Sequence, residues 1–155
     1  CKFTLQNPPE DYLLAECEHD TKFNIRFAKA LPQLTVDSVT SEKVSEDVYK
    51  VSAVIGNLGY LPTHLTDEAI NLHTAVEVEV SIDKEVVEGH SVKKVGHLSG
   101  YSRTATGAIY GNLTTYASAK AKNKVTWIIK AHQGETVTVS ASQEKAGSCT
   151  ATITL

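Results

Sequence analysis

Six histidines, three cysteines and a set of carboxylates are the residues of this 155-residue chain with the means to do chemistry. A zinc hydrolase needs two or three His and a carboxylate, often three or four residues apart. His132-Gln133-Gly134-Glu135 has that spacing, but no His follows it. It reads as a solvated surface segment, and His64 ahead of Asp67 and Glu68 reads the same way. His64, His73, His90 and His97 come from neighbouring segments and could assemble a composite site. Scattered surface His is the better reading. For nucleophilic catalysis the chain has no Gly-x-Ser-x-Gly, and Ser99-Gly100-Tyr101-Ser102 lacks an acid–base partner. It has no P-loop and no Gly-x-Gly-x-x-Gly for phosphate. Glu77 and Glu79 share one strand face as solubilising charges, without the burial that would raise one pKa. No catalytic, cofactor-binding or metal-ligating residue is assigned, and this chain is expected not to be an enzyme.

Cys1, Cys17 and Cys149 are too few and too far apart for a disulfide framework. Free thiols are expected, which favours a reducing, cytoplasmic compartment. A Cys17–Cys149 bridge is the alternative. No signal peptide is visible, and a chain that opens on Cys and holds no Met reads as a piece of something longer. The net charge of -3 argues against binding nucleic acid through its backbone. No apolar run approaches the roughly 20 residues of a membrane span.

The elements that must position these groups fall into two blocks. Asn7-Pro8-Pro9-Glu10 is a helix-start signal. Leu13, Leu14, Cys17, Phe23, Phe27, Ala28 and Leu31 then recur at three- and four-residue steps. Acids come early and bases late, complementing the helix dipole, and Pro32 stops the run. Residues 1–32 are therefore read as one long amphipathic helical linker. Residues 33–155 hold all 16 valines. There the pattern turns to period two, clearest in Ala75–Ile82, Thr136–Ala141 and Thr150–Leu155. Leu34–Val39, Val48–Ile55, Glu85–Val87, Val92–Leu98 and Val125–Lys130 are further strands, with glycine turns between several of them. About seven antiparallel strands with one wet face each predict a mainly β, Ig-like antiparallel β-sandwich. Trp127 is expected between its sheets. Thr66 is expected to cap a helical turn.

Residues 99–122 break the rhythm, and long ordered loops are disproportionately functional. Tyr101, Tyr110, Asn112 and Tyr116 in this loop have the chemistry to stack on and hydrogen-bond sugars or peptides. They would equally well cover the end of the sandwich. Tyr60-Leu61-Pro62 places apolar groups on a rigid turn, as an interface would want, or else caps the core. These seven residues form the candidate contact surface.

The run Asn57-Leu58-Gly59-Tyr60-Leu61-Pro62-Thr63 resembles a segment in the β-rich C-terminal region of bacterial M14-family zinc carboxypeptidases. Asn7–Glu10, Glu16–His19, Phe23 and Ala28–Pro32 are similar to the helix that follows that group's catalytic domain. Gly96–Gly100, Val125–Ile129 and Val137–Ala141 with Ala146-Gly147 are similar to its later strands. The resemblance covers most of the chain but not residues 101–122. It implies a non-catalytic accessory domain that braces a peptidase domain or shapes access to its cleft. The partner would be that catalytic domain, which would precede Cys1 and hold the zinc, so no catalytic residue carries over. A carbohydrate- or cell-wall-binding module is the alternative, with glycan or peptide as its ligand.

Overall fold

The structure is a computed structural model that describes residues 9–101 and 121–155. It contains two compact units, divided after Ala30. The first holds a helix, α1, at Glu10–Lys29. Glu10 and Asp11 occupy its first turn, and Arg26 and Lys29 its last, each suited to the partial charge at its end. Pro9 stands at the N-cap without a side-chain hydrogen bond, and none of the helix's residues is buried.

The second unit is a β-sandwich. Strands β1 (Leu34–Ser45), β2 (Val48–Asn57) and β5 (Lys122–Lys130) form a sheet in the order β1-β2-β5. Strands β3 (Glu79–Ile82), β4 (Val92–Lys94), β6 (Thr136–Gln143) and β7 (Gly147–Thr154) form the other, in the order β4-β3-β6-β7. All pairings are antiparallel. The period-two residues supply the core. Val125, Trp127 and Ile129 from β5 meet Val80, Ile82, Val137, Val139 and Ala141 from the other sheet. Each large aliphatic buried this way contributes about 1.5–3 kcal/mol. Trp127 is 1% exposed. Lys93 Nζ lies 5.7 Å from its ring centroid and donates to Thr126 O at 2.7 Å.

Several strand limits differ from the sequence pattern. Residues 75–78 alternate but lie outside a strand, because β3 begins at Glu79. Of Glu85–Val87 only Val86 bridges, to Ile129, and β4 stops at Lys94 instead of reaching Leu98. In both cases backbone pairing goes beyond the strand limit: Val95 N and Gly96 O bond to Val78, and Glu85 O and Val87 N bond to β5. β1 and β2 run longer than expected: β1 continues to Ser45 by pairing Thr40 with Ser52 and Ser45 with Val48, and in β2 Gly56 and Asn57, which look like turn residues, pair with Thr35 and Leu34. Thr66 caps the short helix α2 (Asp67–Asn71) by accepting from Ala69 N at 3.4 Å. Cys17 and Cys149 are both free thiols.

Candidate functional site

One end of the sandwich is closed by three buried polar side chains, Asn57, Thr63 and Gln143. Asn57 ends β2. Its Oδ1 accepts from Gln33 N and Gly59 N, both at 2.9 Å, and its Nδ2 donates to Leu61 O at 2.8 Å. The side chain thus shapes the turn that follows it and ties that turn to the entry of β1. Thr63 makes a reciprocal pair with Leu98. Thr63 N donates to Leu98 O and Leu98 N to Thr63 Oγ1, each at 2.9 Å. Gln143, at the end of β6, uses all four of its hydrogen-bonding positions. Its Nε2 donates to Thr63 O (3.2 Å) and Val76 O (3.1 Å). Its Oε1 accepts from Lys145 N (2.7 Å) and Ala146 N (2.8 Å).

Two glycines allow the chain segments of this end to touch. A Cβ on Gly59 would lie 2.3 Å from Leu31 O, and one on Gly100 would lie 2.3 Å from Tyr60 O. Tyr101 N donates to Gly59 O at 3.0 Å. The turn at 59–62 and the segment entering the long loop are therefore one backbone assembly. On it Tyr60 is 57% exposed and Tyr101 71% exposed, while Leu61 and Pro62 are half-buried. Tyr60 therefore does not cap the core. Beside Tyr101 a cleft of about 100 Å³ runs between Asp37, Leu58 and Lys122. The Lys122 ammonium sits 2.5 Å from the Asp37 carboxylate, and that hydrogen bond holds the Lys122 pKa up. Tyr110, Asn112 and Tyr116 lie outside the described residues.

Of the four histidines weighed as a composite site, the fold brings two together. The rings of His64 and His97 meet edge-on with centroids 5.3 Å apart. Burial, and next the neighbouring His64, push the His97 pKa down, while Glu77 pulls the other way. Among the described residues, no group of three or more His, Cys, Asp or Glu is arranged to hold a metal ion.

The opposite end is charged. The Asp47 carboxylate contacts His132 Nδ1 at 2.7 Å and raises the His132 pKa. Lys84 Nζ donates to Glu135 at 2.6 Å, and this bond holds the Glu135 carboxyl low. Glu135 also accepts from His132 N at 3.2 Å. The His-x-x-Glu spacing thus forms a turn closed by hydrogen bonds between His132 and Glu135, whose charged partners, Asp47 and Lys84, lie outside it. Elsewhere, burial pushes the Cys149 thiol up, which works against its use as a nucleophile.

The run from Asn57 to Thr63 stands out in the sequence, though not for what its ends do. An Asn two residues before Gly is the signature of a side chain bonding its own backbone turn, and that signal was present. Gln143 and the pairing of Asp47 with His132 gave no local signal, because their partners are distant in sequence.

Fold and site together define a β-sandwich whose polar residues fasten loops at the two ends. Residues 33–154 match the model of the family described as a domain of unknown function, DUF8731, and the chain belongs to that family. No curated protein matches it. Among solved structures, one similar chain is the CARDB domain of a Pyrococcus furiosus protein, solved in complex with di-metal ions. It is 13% identical with a TM-score of 0.37, and the match covers 80% of this chain and 88% of that one. A second is the GH3 β-glucosidase of Bifidobacterium adolescentis. It is 15% identical with a TM-score of 0.32, and the match covers 80% of this chain but only 17% of that one.

Proposed function

We propose that the sandwich is a non-catalytic accessory domain that holds a neighbouring polypeptide against the surface around Tyr60, Leu61, Pro62 and Tyr101. The observation that carries this reading is an exposed Tyr60 on a turn whose backbone is fixed by buried hydrogen bonds. An aromatic side chain on a pre-ordered loop loses little freedom when it docks, and Tyr is enriched where binding energy concentrates. The carboxypeptidase resemblance supplies the partner: the catalytic domain of a zinc metallocarboxypeptidase. In that parent the zinc and its chemistry belong to the peptidase domain, and this domain braces it or shapes entry to its cleft.

The test is binding of this chain to a separately produced peptidase domain of such a parent, followed by calorimetry and by the peptidase's thermal stability. The wild-type chain is expected to bind. Tyr60→Ser with Tyr101→Ser is expected to weaken binding by about tenfold or more while leaving the sandwich folded. No association, with no change in peptidase stability or activity, overturns the bracing role. Retention of the chain on cell-wall glycan, lost in the same double variant, would replace it with the carbohydrate-binding reading.

A further inference from the structure

The segment between β2 and α2 is strained at one residue. Leu65 N donates to Pro62 O at 2.9 Å, and Thr66 N donates to His64 O at 2.7 Å. The second bond closes a three-residue turn centred on Leu65, whose φ is 62°. This form of the turn is rare and strained for a residue with a β-carbon. Contacts to the segment ahead of Tyr101 hold it in place. They are the reciprocal Thr63–Leu98 hydrogen bonds and the meeting of the His64 and His97 rings, with centroids 5.3 Å apart.

His97 is the weak member of that arrangement. Its Nδ1 is buried and has no hydrogen-bond partner among the described residues. A neutral imidazole leaves one ring nitrogen without a proton, but an imidazolium carries N–H on both. Charging the ring where it sits would bury a charged donor without an acceptor and set it beside His64. Among the described residues, the titratable groups acting on the ring are His64, from the turn before α2, and Glu77, from the segment ahead of β3. Burial and His64 outweigh the Glu77 carboxylate, so the ring's pKa lies below the ordinary 6.5.

We propose that the His64–His97 contact is an acid-released latch: a second ring proton on His97 frees its side chain, and residues 62–66 come away from residues 96–101. A released ring titrates near 6.5 again, so the open form binds more protons and gains population as the pH falls. Release also relieves Leu65. Tyr60 and Tyr101 stand on these same two segments, which Tyr101 N joins by donating to Gly59 O. In acid the two side chains would lose their fixed spacing and the surface would dock its partner less tightly, a consequence that rests on the docking reading above.

The experiment is amide hydrogen exchange of the chain alone, followed residue by residue by NMR from about pH 8 to about pH 5. Thr63, Leu98 and Tyr101 each donate a backbone hydrogen bond across the latch. Their protection factors are expected to fall about tenfold or more toward acid, while those of β2 and β6 stay level. His97→Gln, which cannot take up the proton, is expected to hold them flat. His64→Gln, which removes the neighbouring charge, is expected to shrink the fall. Level protection of all three amides in the wild type overturns the latch. A fall that persists in His97→Gln overturns its assignment to His97. A fall that spreads through β2 and β6 shows global unfolding and overturns the latch as well. No partner enters this test, so a failed latch and a failed docking surface are told apart.

Discussion

The two ends of the sandwich solve the same problem with different chemistry. Each must secure the loops that leave the sheets. The end at Asn57, Thr63 and Gln143 uses neutral side chains, buried and hydrogen-bonded to backbone. The end at Asp47, His132, Lys84 and Glu135 uses ion pairs, and the Asp47–His132 pair is exposed. Removing one partner of a buried hydrogen bond strands the other without water, at about 1–3 kcal/mol per group. Removing one partner of a surface ion pair returns the other to solvent, at little cost. The neutral end should therefore hold most of the loop-fastening stability, and the charged end should be the one that responds to salt.

The sharpest way to break that comparison is Gln143→Leu. It leaves the N–H groups of Lys145 and Ala146 and the carbonyls of Thr63 and Val76 without their side-chain partner. We expect a loss of about 3 kcal/mol or more in urea denaturation. A smaller loss is expected from Thr63→Val, which keeps the side-chain shape and deletes one acceptor, at about 1–2 kcal/mol. If both variants match wild type within error, the neutral end is not what holds the loops.

The sandwich was legible in the sequence because its signal is local. Val137, Val139 and Ala141 alternate with Thr138 and Ser140, and the fold buries the first set and not the second. The turns at Gly134 and Gly147 were legible too, since both residues have positive φ. The ends of strands were not. Asn57 looks like a turn residue and is one, yet its backbone still pairs with Leu34. The candidate surface was half legible. Tyr60 and Tyr101 are 41 positions apart in sequence, and no pattern predicts that Gly100 packs on the Tyr60 carbonyl. Such contacts depend on which strands neighbour each other, and periodicity does not encode that.

The histidines at the two ends give opposite pH dependences, and their effects are the smaller ones. His97 has a folded-state pKa below its ordinary 6.5. The unfolded chain then binds more protons, so stability rises with pH through this range. The contribution is full above 6.5 and is lost as the pH falls toward the folded value. His97→Gln is expected to flatten that acid-side loss, seen as unfolding temperature against pH. Its half-buried ring beside His64 should make the effect less sensitive to salt than that of an exposed pair.

His132 should show the reverse sign and a weaker response. Its folded pKa lies above 6.5 because of Asp47. The folded chain binds more protons, so the contribution is present below 6.5 and disappears as the pH rises through the folded value. The pair is exposed, so moderate salt should erase most of the effect. His132→Gln is expected to lower the unfolding temperature by less than Thr63→Val does, only on the acid side and only at low salt. Equal losses at high and low salt would mean that His132 is held by packing, and the contrast between a neutral end and a charged end would then fail at its charged end.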